Sequence, residues 1–224
     1  MVADTLRQRL ADLHAERVRT WDPAVLQVNI DQRRQLVETA HQDGFIRVGD
    51  RVASFVVEEV DGDDLSLEGL LREGPVVLVF FRFAGCPACN IALPYYNEAL
   101  APGLKALGAT LVALSPQVPE RLKDIKIRQG LDFAVATDAN NALAKRFGIV
   151  FEPDEASKAA ARAKGNFIGD VTGTGTWELP MPAVVVIDQE GIVRFAEVSP
   201  DWLVRAEAGP ILDAVRAASL AVAA

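Results

Sequence analysis

The sequence predicts a layered α/β domain, a central mixed β-sheet flanked by helices, preceded by an N-terminal two-helix arm. Three observations carry this. Val76-Val77-Leu78-Val79-Phe80-Phe81 is a continuous apolar, β-branched run, the pattern of a strand covered on both faces. Thr110–Ser115 reads as a second buried strand, and Ala183–Asp188 with Ile192–Ala196 flank Gln189-Glu190-Gly191 as an antiparallel hairpin. Segments of helical period lie between the strands, and that alternation makes a largely parallel sheet centre.

From Asp4 to Arg19 the residues Leu6, Leu10, Leu13 and Val18 recur at near-helical spacing among charges, which describes an amphipathic helix. Thr20-Trp21-Asp22-Pro23 interrupts it. Asp22 before Pro23 is an N-cap and first-turn pair, so a second helix is expected through Leu36, Val37 and Ala40 to a stop at Gly44. Residues 1–46 therefore read as an arm and 47–224 as the main domain. The arm is expected to pack across that domain or onto a second subunit, so a homodimer is one arrangement open to it.

In the main domain, Ser54–Val60 reads as a strand, Asp61-Gly62 as a turn and Ser66–Leu71 as a short helical piece. After the strand opened by Pro75, a helix is expected from about Pro87, carrying Ile91, Leu93, Tyr96 and Leu100, with Pro94 as a kink. Pro119–Gln129 reads as a helix, Phe133–Asp138 as a strand, and Asn141–Phe147 as a helix ended by Gly148. Residues 152–179 break the rhythm: Ala156–Lys164 has helical character, whereas Gly165–Gly175 has no period, and such segments are mobile or functional. Ala206–Leu220 is a closing amphipathic helix.

A chain of 224 residues suits one domain with an extra segment, and its 50% apolar content suffices for a core without staples. A net charge of -8 excludes a phosphate-tracking surface, so no nucleic-acid partner is expected. The opening Met1–Gln8 lacks the apolar core of a secretory signal, and no run approaches the roughly 18 apolar residues of a spanning helix. The expected setting is the cytoplasm, away from membranes. A stable structural disulfide is not expected there, which turns the only two cysteines, Cys86 and Cys89, into a question of reactivity.

Cys86-Pro87-Ala88-Cys89 stands at a strand-to-helix junction. That position offers closeness for a disulfide, an exposed first sulfur and unpaired backbone N–H groups whose field favours the thiolate. The thiolate is the nucleophile, and an unperturbed thiol with a pKa of about 8.5 is only a few per cent ionised at neutral pH. Pro87 suits the first helical turn and stiffens the loop. Zinc is not expected, because a structural site needs four ligands and the only histidines, His14 and His41, lie in the arm. Two inert buried thiols are the plain alternative. Arg82 is close enough in sequence to favour the Cys86 thiolate, surface ion pairing being its other reading. Arg205 could reach the same face, and Trp177 would either line the sulfur pocket or pack.

In order along the chain, Gly74–Arg82, Cys86-Pro87-Ala88-Cys89-Asn90, Leu114-Ser115-Pro116, Thr137-Asp138, Phe147-Gly148, Leu179-Pro180-Met181-Pro182-Ala183 and Val186-Ile187-Asp188 resemble the alkyl hydroperoxide reductase/thiol-specific antioxidant (AhpC/TSA) family of the thioredoxin-like superfamily. The resemblance runs from about Arg47 to the C-terminus. It implies a thioredoxin-like sheet, a hydroperoxide or disulfide substrate, a thioredoxin-like or low-molecular-weight thiol reductant, and neither metal nor organic cofactor. It also implies that Pro182 is a cis-proline facing the cysteines. Peroxiredoxins carry a proline and a threonine ahead of the attacking cysteine and an arginine beside the last long strand. With Cys89 in the attacking register, Arg82 and Cys86 stand at the first two places; with Cys86 there, Val79 and Phe83 do. The strand arginine falls in the region of Pro182. Thioredoxin's buried acid corresponds to Phe80 and its tryptophan to Gly85.

Three functions follow. The first is a thiol peroxidase working through a Cys86–Cys89 dithiol/disulfide cycle, with Arg82, Pro87 and Pro182 as supporting residues. The second is a disulfide reductase with Cys86 attacking and Cys89 resolving. The third is a non-catalytic redox-sensing module contacting its partner through the arm.

Overall fold

Residues 4–222 are described in a computed structural model; Met1–Ala3 of the opening stretch, and Ala223 and Ala224, lie outside the described residues. The arm is two helices, α1 (Leu6–Thr20) and α2 (Pro23–Thr39). Thr5 caps α1 through Gln8 N–H, and Asp22 caps α2 through Ala24 and Val25 N–H, with Pro23 at the first helical position. Then come β1 (Val56–Glu59), β2 (Asp64–Ser66), α3 (Leu67–Glu73), β3 (Val76–Phe80), α4 (Pro87–Ala99), α5 (Ala101–Ala106) and β4 (Thr110–Ser115). The second half holds α6 (Pro119–Gln129), β5 (Ala134–Thr137), α7 (Ala142–Arg146), β6 (Val150–Phe151), α8 (Glu155–Ala163), α9 (Ile168–Thr172), β7 (Leu179–Pro180), β8 (Ala183–Ile187), β9 (Val193–Val198) and α10 (Ala208–Val222).

Seven strands form one mixed sheet in the order β2-β1-β5-β4-β3-β8-β9. β3, β4 and β5 run parallel, whereas β8 joins β3 antiparallel, with Leu78 opposite Val185. All five residues of β3 and of β8 are buried, which is why neither strand alternates polar with apolar. The hairpin predicted around Gln189-Glu190-Gly191 is β8–β9. The sheet centre thus delivers the end of β3 to the start of α4.

The arm lies on this domain. Leu6, Leu10 and Leu36 belong to the same buried cluster as the β3, α4 and β8 side chains, and Glu207 accepts hydrogen bonds from Leu6 N–H (3.1 Å), Arg7 N–H (2.9 Å) and the Tyr95 hydroxyl (2.7 Å). A carboxylate at a helix N-terminus satisfies donors that the helix itself cannot.

Several expectations need correction. Val18 and Val37 are 55% and 46% exposed rather than inward-facing; Arg17 takes the buried place on α1 and Leu36 the one on α2. The 165–175 stretch contains α9, and the short pair β6–β7 went unread because two-residue strands show no period. The Met181–Pro182 bond is trans, since the described chain has no cis peptide bond. β7 pairs with Val150 and Phe151, Met181 N–H donates to Ile149 at 2.7 Å, and Ser199 N–H to Pro182 at 2.8 Å. The chain thereby enters β8 extended, in the isomer the X-Pro bond itself prefers.

Candidate active site

β3 ends at Phe80, and the loop it opens is held from several sides. The Ser115 hydroxyl donates to the Arg82 carbonyl (3.0 Å), and Ala84 N–H donates to Gln117 Oε1 (2.8 Å). Asn90 Nδ2 donates to the carbonyls of Ala84 (2.7 Å) and Cys86 (2.9 Å), and its Oδ1 accepts from Arg128 and Gln129, both at 2.9 Å. The Leu114-Ser115-Pro116 element noted in the sequence thus acts on the backbone of the cysteine loop.

Cys86 is the N-cap of α4 and Pro87 its first residue, where a missing N–H costs nothing. Cys86 Sγ accepts from Cys89 N–H at 3.4 Å and from the Cys89 thiol at 2.7 Å. That separation exceeds the 2.03–2.05 Å of a disulfide; both are free thiols.

Two guanidinium groups complete the site. Arg82 Nη2 donates to Cys86 Sγ at 3.2 Å, and Arg205 Nη2 lies 3.6 Å from Cys89 Sγ. Trp202 connects them: Arg82 stacks on its ring at 4.5 Å, and its carbonyl accepts from Arg205 Nε at 3.0 Å. The Tyr96 hydroxyl donates to the Ala206 carbonyl at 2.8 Å and holds the turn just after Arg205.

The charges divide the two sulfurs. Burial raises the Cys86 pKa, but the Cys89 thiol and the cations of Arg82 and Arg205 outweigh it and hold Cys86 well below the ordinary thiol range. Burial and the adjacent Cys86 charge push Cys89 well above it. Cys86 is therefore the more readily ionised sulfur of the pair. Burial lowers the Arg205 pKa and the two sulfurs more than restore it, so the buried cation and the thiolate stabilise one another.

The exposed first sulfur expected from sequence is not found: Cys86 and Cys89 are both 0% exposed. Arg82 and the buried ring of Trp202 occupy the space that a bare helix N-terminus would leave open. Pro182 lines a small cavity with Phe80, Tyr96, Ser199 and Arg205, of which Arg205 lies 3.6 Å from Cys89 Sγ. Trp177 packs edge-on against Phe167 at 4.8 Å and under Arg162 at 5.2 Å, the packing alternative. A groove of 480 Å³ between the arm and the β9–α10 connection includes Arg7, Val37, Asp201, Arg205 and Glu207.

Sequence reasoning missed Trp202 at the site and the burial of Arg17 on α1. Trp202 has no local signal, lying far along the chain from Arg82. Arg17 had one: the spacing of Leu6, Leu10 and Leu13 continues to position 17, so a charge there interrupts an apolar stripe.

Comparison with known proteins identifies the family and the fold. The AhpC/TSA family model matches residues 48–196. A peroxiredoxin-named protein of Mycobacterium tuberculosis (strain ATCC 25618 / H37Rv) is 30% identical over 105 residues, covering 46% of this chain and 67% of that one. The thiol-disulfide oxidoreductase ResA of Halalkalibacterium halodurans is 29% identical over 106 residues, 46% of this chain and 57% of that one. The crystal structure of the peroxidoxin BcpB from Mycobacterium tuberculosis superimposes with a TM-score of 0.59 at 23% identity, covering 77% of this chain and 97% of that one.

Proposed function

We propose that this chain, which belongs to the AhpC/TSA family and is a thiol-dependent antioxidant oxidoreductase, reduces hydroperoxides with Cys86 as the attacking thiolate and Cys89 as the resolving thiol. The observation that carries this reading is the place of Cys86 Sγ, which caps α4, accepts from Arg82 Nη2 at 3.2 Å and lies 2.7 Å from Cys89 Sγ, contacts that lower the Cys86 pKa.

Cys86 Sγ attacks one peroxide oxygen, the O–O bond breaks, and the alkoxide takes a proton and leaves as an alcohol. The oxygen retained on Cys86 makes a sulfenic acid. Cys89 Sγ then attacks that sulfur; its own proton and the sulfenic hydroxyl leave as water, and a Cys86–Cys89 disulfide forms. Two electrons from an external thiol, a thioredoxin-like protein or a low-molecular-weight thiol, restore the dithiol. The cation at 3.2 Å favours the nucleophilic thiolate form of Cys86. Both sulfurs being buried, the covering side chains move aside as peroxide enters.

Disulfide reduction is the second reading, favoured by the same N-terminal thiolate of the CxxC pair. Peroxide and protein-disulfide turnover by wild type, Cys86→Ser and Cys89→Ser, with a dithiol supplied, separates the readings. Peroxide consumption lost in Cys86→Ser, with a dimedone adduct accumulating on Cys86 in Cys89→Ser, is the expected result. Adduct on Cys89 in Cys86→Ser with peroxide turnover intact reverses the roles. Turnover of neither substrate by wild type leaves a redox-sensing module.

A further inference from the structure

Cys86 and Cys89 are fully buried, so a peroxide reaches them only when a covering side chain moves. The cover consists of Arg82, which donates to Cys86 Sγ at 3.2 Å, and Trp202, on whose ring that guanidinium stacks at 4.5 Å. Trp202 sits in a tight turn closed by Val204 N–H donating to the Asp201 carbonyl at 2.8 Å, and the Asp201 carboxylate accepts from Leu203 N–H at 3.0 Å. The same carboxylate accepts from Nη1 of Arg33, on α2 of the arm, at 3.2 and 3.0 Å. Direct contacts thus run from arm to sulfur: Arg33 to Asp201, Asp201 to the turn, Trp202 to Arg82, and Arg82 to Cys86.

The Arg33 and Asp201 side chains are 11% and 27% exposed, which shields their attraction from solvent and salt more than at an open surface. Arg33 Nε is buried without a partner, so the grip of this side chain is confined to Asp201. Nearby, Val37 of α2 and Val204 of the turn line the 480 Å³ groove and stay 46% and 55% exposed, so apolar packing by these two residues does not tie the turn to the arm. A hold made by an ion pair can be released without unpacking the core, and local openings of this kind cost far less than global unfolding.

We propose that Arg33 is a positioning residue for the cover of the cysteine pair: its ion pair with Asp201 latches the Trp202 turn over Arg82, so the arm sets how often the sulfurs open to a substrate. The proposal rests on Cys86 being the attacking sulfur. Reaction then passes through a local opening, and its rate is the open fraction multiplied by the reactivity of the thiolate. Loss of the latch raises the open fraction. That gain persists on the alkaline plateau, where Cys86 is ionised in every variant.

The test is the rate of Cys86 alkylation by iodoacetamide in reduced full-length protein on the alkaline plateau of its pH profile, with the labelled cysteine located by mass spectrometry. Wild type is compared with Arg33→Met, Asp201→Asn, the double variant and Arg33→Lys. Asparagine keeps an acceptor for Leu203 N–H, so Asp201→Asn removes the charge and leaves the turn its cap. The expected result is labelling about fivefold faster in each single variant, the double variant no faster than either, and Arg33→Lys within about twofold of wild type. An arginine that merely supports the arm lowers the urea midpoint without this matched, non-additive pair of accelerations. Single variants that label at the wild-type rate, with Cys86 still the labelled residue, overturn the proposal and leave the peroxidase reading standing, and so do accelerations that add in the double variant. Label on Cys89 in wild type overturns the reading beneath it. If Arg33→Met does not fold, Asp201→Asn and Arg33→Lys are judged by the same rates.

Discussion

Replacing Arg82 by Met removes the cation nearest the attacking sulfur while keeping much of the side-chain volume over Trp202. Its Nη2 donates to Cys86 Sγ at 3.2 Å, and a hydrogen bond to a charged group is worth about 1.5–3 kcal/mol. At about 1.4 kcal/mol per factor of ten, the thiolate loses roughly 10- to 150-fold of its equilibrium advantage. Arg82 is partly exposed, which screens the charge and favours the lower half of that range. Arg205 remains against Cys89 at 3.6 Å and retains part of the field. The assay is the second-order rate of oxidation of the reduced protein by hydrogen peroxide across pH. Removing a cation raises the Cys86 pKa, so the acidic limb moves to higher pH and the variant falls behind there. In the alkaline range, where both proteins are ionised, the curves approach one another. Arg82→Lys should fall between, since lysine keeps the charge without the planar stack on Trp202. An acidic limb within twofold of wild type for Arg82→Met would refute the assignment of Arg82 to the thiolate.

Three further outcomes follow. Leu10→Ala, at a fully buried position where α1 packs on the domain, should cost about 3–5 kcal/mol, or roughly 6–20 °C in Tm, read by urea and thermal unfolding; a loss below about 1 kcal/mol would mean the arm is not held there. Gly148 has φ +71, and a Cβ there would collide with the Gly44 carbonyl oxygen at the arm-to-domain junction, so Gly148→Ala should lose about 1–3 kcal/mol in the same experiment, and an unchanged Tm speaks against it. Burial raises the Asp138 pKa despite N–H donors from Leu143 and Ala144. Because the folded value lies above the unfolded one, its contribution is present below the ordinary carboxylate range and is lost as pH rises through the folded value. The stability advantage of wild type over Asp138→Asn should accordingly shrink as pH increases, and urea midpoints that show a flat or widening gap contradict this.

Much of the fold was legible because its signals are local. The unbroken apolar, β-branched run at Val76–Phe81 has the pattern of a strand covered on both sides and holds β3, and Pro119–Gln129 begins and ends where the helix does. Reading failed where period gave no guidance: β6 and β7 have two residues each, and Val18 was preferred to Arg17 because hydrophobicity outweighed spacing. Pro182 shows the limit of analogy. The family resemblance implied a cis bond, yet the bond is trans, with Met181 N–H donating to Ile149 and Ser199 N–H to Pro182 on either side of it.

The cysteine pair at a strand-to-helix junction and the first-turn place of Pro87 were determined by sequence alone. Each depends on residues within one helical turn, where backbone geometry leaves few alternatives. Which sulfur ionises more readily was decided by tertiary structure. Beside the local Arg82, that question turns on Arg205, brought with Trp202 from the β9–α10 connection to the end of β3. Charge acts through space and is strengthened by burial, so its sources have no required spacing along the chain and become visible only once the core has closed around the two sulfurs.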